Sequence, residues 1–204
     1  MSSELVQKHF VVDDEMIDSG YIQEVITPLW WGVSIYDGET EMYDALEQFT
    51  APQKHVWAVQ WYKSEVGNGG HDQFFANDAG ILWELALEGL MEIGCHDAAE
   101  ILEEAVQRIG GYPSMDRETR WTQIRRHNAE FDDLDRALWD NDSLIDKALN
   151  SYVADNREAF YFDGDVMVPE LVAMDDDDLF IPGFSGFSAG MDPRRHGGYD
   201  DFDE

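Results

Sequence analysis

Residues 61–80 read Trp61-Tyr62-Lys63-Ser64-Glu65-Val66-Gly67-Asn68-Gly69-Gly70-His71-Asp72-Gln73-Phe74-Phe75-Ala76-Asn77-Asp78-Ala79-Gly80, and their punctuation sets the helical reading of the chain. Upstream, Thr50-Ala51-Pro52 forms a helix start with Pro in the first turn, leading into Val56, Val59, Gln60 and Lys63. Asn68-Gly69-Gly70 is expected to stop that helix, because Gly accepts the left-handed backbone that helix ends require. Asp78 then caps a predicted helix over 79–93, with Leu82, Leu85, Ala86, Leu90 and Ile93 in one stripe and Gly94 at its end. A further helix over 97–109 turns Ala98, Ile101, Leu102, Ala105 and Ile109 inward, closed by Gly110-Gly111.

Outward from this centre the helical period persists. Residues 19–49 read as two amphipathic helices separated by a turn at Asp37-Gly38. Ser114 is a candidate N-cap for a helix over 115–131 marked by Trp121, Ile124 and Phe131, and two more helices follow over 132–139 and 143–156. The expected fold is all-α, a compact array of about eight helices, with no alternating strand pattern competing. At Phe160 the composition changes. Residues 1–160 are read as the helical domain, and 161–204 as an acidic, Gly/Pro-containing and mostly irregular C-terminal arm or tail. Val166, Val168, Leu171 and Phe180 are too apolar for a plain solvated tail, which favours a partly ordered arm.

Charge is the dominant feature of composition. The 204 residues carry 44 Asp+Glu against 13 Lys+Arg, a formal net charge of −31, yet 44% are hydrophobic and a sizeable core can form. Such a chain repels nucleic acid and anionic membrane and attracts cationic surfaces. Spread evenly over a surface of about 9,700 Å², the charge amounts to one per roughly 310 Å². B-DNA carries one per about 107 Å² on a cylinder of ~10 Å radius, so mimicry of a duplex requires charge gathered on one face. Scarce Lys and abundant Asp also fit a salt-adapted surface with no partner, and that alternative stays open. No apolar run reaches the roughly 18 residues of a membrane span, the N-terminus has no basic region followed by an apolar stretch, and Cys95 is alone. The expected compartment is the cytoplasm.

The block Glu65-Val66, Asn68-Gly69-Gly70, Gln73, Phe75, Asn77 and Gly80 resembles the signature of a bacterial DNA-mimic protein family, Glu-Val-x-Asn-Gly-Gly-x-x-Gln-x-Phe-x-Asn-x-x-Gly. The resemblance runs more loosely from about residue 21 to 160 and departs from the family at His71, commonly an aromatic there, and in the long acidic extension. It implies an all-helical fold, a homodimer, and acidic side chains that imitate duplex phosphates to occupy a repressor's DNA-binding surface.

The predicted partner-binding face comprises Asp132, Asp133, Asp135, Asp140, Asp142 and Asp146, joined by Asp155, Glu158, Asp163 and Asp165. Carboxylates at i, i+4 on one helix are about 6 Å apart in rise, too sparse against phosphates at ~3.4 Å, so two acidic elements must lie side by side. The expected partner is a basic DNA-binding protein, a repressor or nucleoid-type protein; the alternative is inhibition of a basic enzyme such as a nuclease. Glu65, Asn68, Gly69, Gly70, Gln73, Phe75, Asn77 and Gly80 are expected to be structural, since Asn and Gln side chains satisfy backbone groups at helix ends. No Ser/His/Asp or Cys/His spacing suggests catalysis. Glu65, His71, Asp72 and His96 match no zinc or EF-hand pattern, so no cofactor or metal is expected.

Overall fold

A capping box starts the central helix. Thr50 Oγ1 accepts the Gln53 backbone N–H at 3.3 Å while Gln53 Oε1 accepts the Thr50 N–H at 2.9 Å, satisfying two donors that a helix start leaves open. The computed structural model describes residues 5–169. Within them the order is β1 (Leu5–Val12), α1 (Asp14–Asp18), α2 (Ile22–Val25), α3 (Thr27–Gly32), α4 (Glu39–Leu46), α5 (Ala51–Ala76), a 3-10 turn Asp78–Leu82, α6 (Trp83–Glu92), α7 (His96–Arg108), α8 (Arg117–His127), α9 (Asp132–Asp155), a 3-10 turn Arg157–Ala159 and β2 (Phe162–Pro169).

The fold is helical, as the periodicity predicts, with α5 at its centre. Val56, Trp57, Ala58, Val59, Tyr62 and Val66 of α5 are fully buried, and α3, α6, α8 and α9 pack around it. Trp30 of α3 stacks on Trp61 with centroids 4.4 Å apart. Of the seven Trp, Trp30, Trp57 and Trp83 are core, whereas Trp121 and Trp139 stay exposed.

Several boundaries differ from expectation. Gly69 and Gly70 leave helical geometry and stop the first segment, as expected, but a second helical segment follows at once and runs to Ala76, so α5 is two helices joined across a kink. Pro28 divides the first predicted helix, because a residue without an N–H begins a new segment more readily than it continues one. Asp116, rather than Ser114, caps α8: its Oδ1 accepts the Thr119 N–H at 2.8 Å. The two helices predicted over 132–139 and 143–156 are one, α9, because Leu134, Leu138, Ile145, Leu149 and Val153 form an unbroken buried stripe across Asn141-Asp142-Ser143. Tertiary burial there overrides weak local propensity.

The strands are new relative to the sequence reading. β1 and β2 pair antiparallel from Leu5 opposite Pro169 to Val12 opposite Phe162. Val166 packs on Gly32 of α3, where an added Cβ would sit 3.2 Å from it. Lys8 on the inward side of β1 and Asp163, Gly164 and Asp165 in β2 blur the alternation that would have announced the pair. Leu171, Phe180 and the remaining arm beyond residue 169 lie outside the described residues. Among the described residues no helix is long and apolar enough to cross a membrane.

Candidate functional site

The kink in α5 aims a buried histidine at α9. Gly70 has φ +76°, and a Cβ there would collide with the Asp135 carboxylate, so backbone conformation and close approach both require glycine. Past the kink, the His71 backbone N–H donates to Asp135 Oδ1 at 2.9 Å and its Nδ1 lies 2.5 Å from the same oxygen. On the other side of the ring, Nε2 meets the Tyr62 hydroxyl at 2.8 Å. Burial, and then the negative charge of Asp135, push the Tyr62 phenol well above its ordinary value, so the phenol keeps its proton. His71 is completely buried, with Phe75 and Phe131 beside its ring. The chain Tyr62–His71–Asp135 thus pins both halves of α5 to α9.

The rest of the motif is equally structural in its contacts. Gln73 Nε2 and Asn77 Nδ2 both donate to Glu65 Oε2 at 2.9 Å, bracing the kink across its two sides. Gly80 leaves room for Arg120: a Cβ there would lie 2.7 Å from the Arg120 Nε and 2.9 Å from the Phe74 carbonyl oxygen. Arg120 is 1% exposed. Its Nε donates to the Phe75 carbonyl (2.9 Å), one terminal nitrogen to Ser114 and Met115 (2.7 and 2.9 Å), and the other to Asn77 (2.7 Å). The intervening Ala76 carbonyl accepts from Arg117 Nε at 2.7 Å and the Trp121 indole at 2.6 Å. Side chains of α8 therefore cap the C-terminal carbonyls of α5, groups every helix leaves unpaired. Burial pushes the Arg120 guanidinium down to about 10, which still leaves it charged near neutral pH.

The predicted acidic residues fall into separate groups. Asp132, Asp140, Asp155 and Glu158 are exposed, with no ion pair among the described residues. Asp133 is held by Arg108 through two hydrogen bonds of 2.6 and 2.9 Å, which lower its carboxyl to about 2. Asp135 serves His71. Asp142 and Asp146 both meet Lys63, the former at 3.0 Å. Asp163 and Asp165 flank His9 on the outer face of the sheet, at 3.1 and 2.8 Å. Asp135 therefore points into the molecule, and the strand pair Asp163 and Asp165 is remote in the chain from the α9 group.

A row that the sequence reading did not nominate lies on α7. Asp97, Glu100, Glu103 and Glu104 are exposed along its outer side, opposite the buried stripe of Ala98, Ala99, Leu102, Ala105 and Val106. α7 packs on α9, and Arg108 joins their ends, touching Glu104 at 3.1 Å and Asp133 at 2.6 Å. The last residues of α7 thus meet the first of α9, and Arg108 joins a carboxylate of one acidic row to a carboxylate of the other. The period of α7 contained this signal; Tyr62, His71 and Arg120 had no local signature.

The cavities that indent the surface of the described residues include two open ones. One, about 540 Å³, lies beside Val11, Asp13, Asp14, Tyr161 and Asp163; the other, about 350 Å³, is lined by residues including Tyr36, Glu39, Asp78, Asp116 and Arg117. Asp72, Gln73 and Asn77 line neither. Among the described residues no three or more His, Cys, Asp or Glu are grouped to hold a metal ion.

No curated protein and no solved structure matches this chain. A family model described as DMP19-like protein matches residues 47–156, more than half of the chain and the whole of α5 to α9 with its kink, its α8 clasp and its paired acidic rows. The chain belongs to the DMP19-like protein family.

Proposed function

We propose that the α7/α9 face binds the DNA-contacting surface of a basic DNA-binding protein, such as a transcriptional repressor, and competes with DNA for it. Family membership supports this, since the family takes its name from DNA mimicry, and so does the net charge of −31. The observation that carries the reading is the junction of two acidic rows at Arg108. From Asp97 to Glu104 the helix advances about 10 Å. Over that length B-DNA presents about six phosphates. Asp97, Glu100, Glu103 and Glu104 with Asp133 and Asp140 supply six carboxylates, less the cations Arg108 and Arg136 beside them. Arg108 also orders the rows by fixing Glu104 and Asp133 in one place, which lowers the entropy a partner's Arg and Lys must overcome. A homodimer would extend the rows, and the charge complementarity would speed encounter with a cationic partner.

The test is capture of DNA-binding proteins from a native lysate at low salt, followed by competition with duplex DNA. Binding should weaken by about tenfold or more between 50 and 200 mM salt, as contacts that release counterions do. Glu100→Lys with Glu103→Lys should weaken it at least as much, while Glu158→Gln, remote from the rows, should change it little. Salt-independent binding, or equal effects of both variants, overturns the assignment.

A further inference from the structure

The chain contains six Asn, and Asn68 alone is followed by Gly. Four of the others are tied by their carboxamides. Asn77 donates to Glu65 at 2.9 Å, and Asn141, Asn150 and Asn156 donate to the carbonyls of Ala137, Asp146 and Tyr152 at 2.9, 2.9 and 2.8 Å. Asn68 and Asn128 are exposed, and among the described residues their side chains make no hydrogen bond. Asn128 precedes Ala129, whose Cβ crowds the approach of its own backbone nitrogen to the carboxamide before it. Gly69 has no Cβ.

A regular helix protects an Asn–Gly pair. The nitrogen after the Asn reaches the side-chain carbon only if the peptide swings out of helical geometry and gives up its bond to the carbonyl four residues back. At this position the geometry is already lost. Gly69 (φ −158°, ψ 23°) and Gly70 (φ +76°, ψ −178°) both lie outside the helical region, and Gly69 is exposed like Asn68. Such a junction opens locally at small cost, because little buried contact has to be broken.

We propose that Asn68 is a site of spontaneous covalent modification, cyclising onto Gly69 and hydrolysing to aspartate and isoaspartate, and that the change loosens the hold of His71 on Asp135. The Gly69 backbone nitrogen gives up its proton and attacks Asn68 Cγ. The new C–N bond closes a succinimide ring as the Cγ–Nδ2 bond breaks, and the nitrogen leaves with that proton as ammonia. Water then adds to one of the two ring carbonyls. Opening at Cγ gives aspartate; opening at the main-chain carbonyl gives isoaspartate, in which the chain runs through Cβ and is one methylene longer. No atom is oxidised or reduced, and water is the sole co-reactant. Either product places a new carboxylate one turn after Glu65. Isoaspartate also lengthens the chain just before Gly70, whose conformation brings the His71 N–H and ring to Asp135. The inference is independent of any partner.

The full-length protein, held at neutral pH and physiological temperature for days, tests it by peptide mapping with fragmentation that separates aspartate from isoaspartate. Conversion at Asn68 should outrun that at each of the other five Asn by about tenfold or more, with isoaspartate in excess over aspartate. Unfolding in guanidinium chloride should speed it by less than about thirtyfold, the kink already opening at small cost. In the modified protein, isolated by anion exchange, the His71 amide should exchange about tenfold faster while the Leu102 amide of α7 keeps its rate. Conversion no faster than at Asn128, aspartate as the sole product, or a greater acceleration on unfolding overturns the site. An unchanged His71 amide overturns its coupling to Asp135.

Discussion

Arg120 is a buried cation whose hydrogen-bond partners are four main-chain carbonyls, from Phe75, Asn77, Ser114 and Met115. Hydrogen bonds from a charged donor are stronger than neutral ones, and four at once offset the desolvation that lowers its pKa. Arg120→Met keeps the length of the side chain and removes every donor, taking from the Phe75, Ser114 and Met115 carbonyls the partner they have here, while the Asn77 carbonyl keeps the Gly80 N–H. The expected loss is about 3–5 kcal/mol in urea unfolding, with hydrogen exchange quickening in α8 more than in α9. A loss below about 1 kcal/mol would mean that water replaces the guanidinium at the end of α5. Gly80 makes this arrangement possible, and its place in the motif was readable beforehand. Arg120 itself was not, because a lone Arg in a polar helix carries no local mark of burial.

At the scale of elements, the packing of α7 on α9 brings the acidic sides of two ordinary amphipathic helices to a common junction at Arg108. Arg108 ties their ends, and its hydrogen bonds hold the Asp133 carboxyl near 2 against an ordinary 3.8. The folded-state value is depressed, so the stabilisation this pair gives is fully present above pH 3.8. It is lost as pH falls towards 2. Asp133→Asn should therefore lower the thermal midpoint near neutral pH, and the gap from the parent protein should close between about pH 4 and 2. A gap independent of pH would assign the effect to the local helix start rather than to the ion pair. Of this surface, the sequence reading supplied Asp133 and Asp140 on α9; the α7 row was missed because the reading attended to its buried stripe, though both faces share one period.

For the whole molecule, −31 means that folding concentrates like charge, and the described ion pairs are mostly exposed. Exposed pairs contribute about 0–1 kcal/mol each, so screening weakens little attraction while relieving repulsion across the entire surface. Raising salt from 0.01 to 0.15 M shortens the Debye length from about 30 to about 8 Å. The thermal midpoint should rise, by about 2–4 °C for each kcal/mol of repulsion removed, in calorimetric scans at fixed pH. A falling midpoint would show that the ion pairs outweigh the repulsion.

The amino-acid sequence by itself determined what short-range physics controls. Apolar residues at helical spacing, the capping pair Thr50 and Gln53, Pro52 in a first turn and glycines at φ-positive ends gave helices close to those observed, and the charge followed from counting. Tertiary structure alone decided what depends on groups distant in the chain. β1 and β2 pair across almost the whole described length, α9 runs unbroken because its stripe has a core to face, and Asp135 turns inward because His71 is waiting there. Helical hydrogen bonds join neighbours four residues apart, whereas strand pairs, buried ion contacts and acidic surfaces exist only once packing has brought remote residues together.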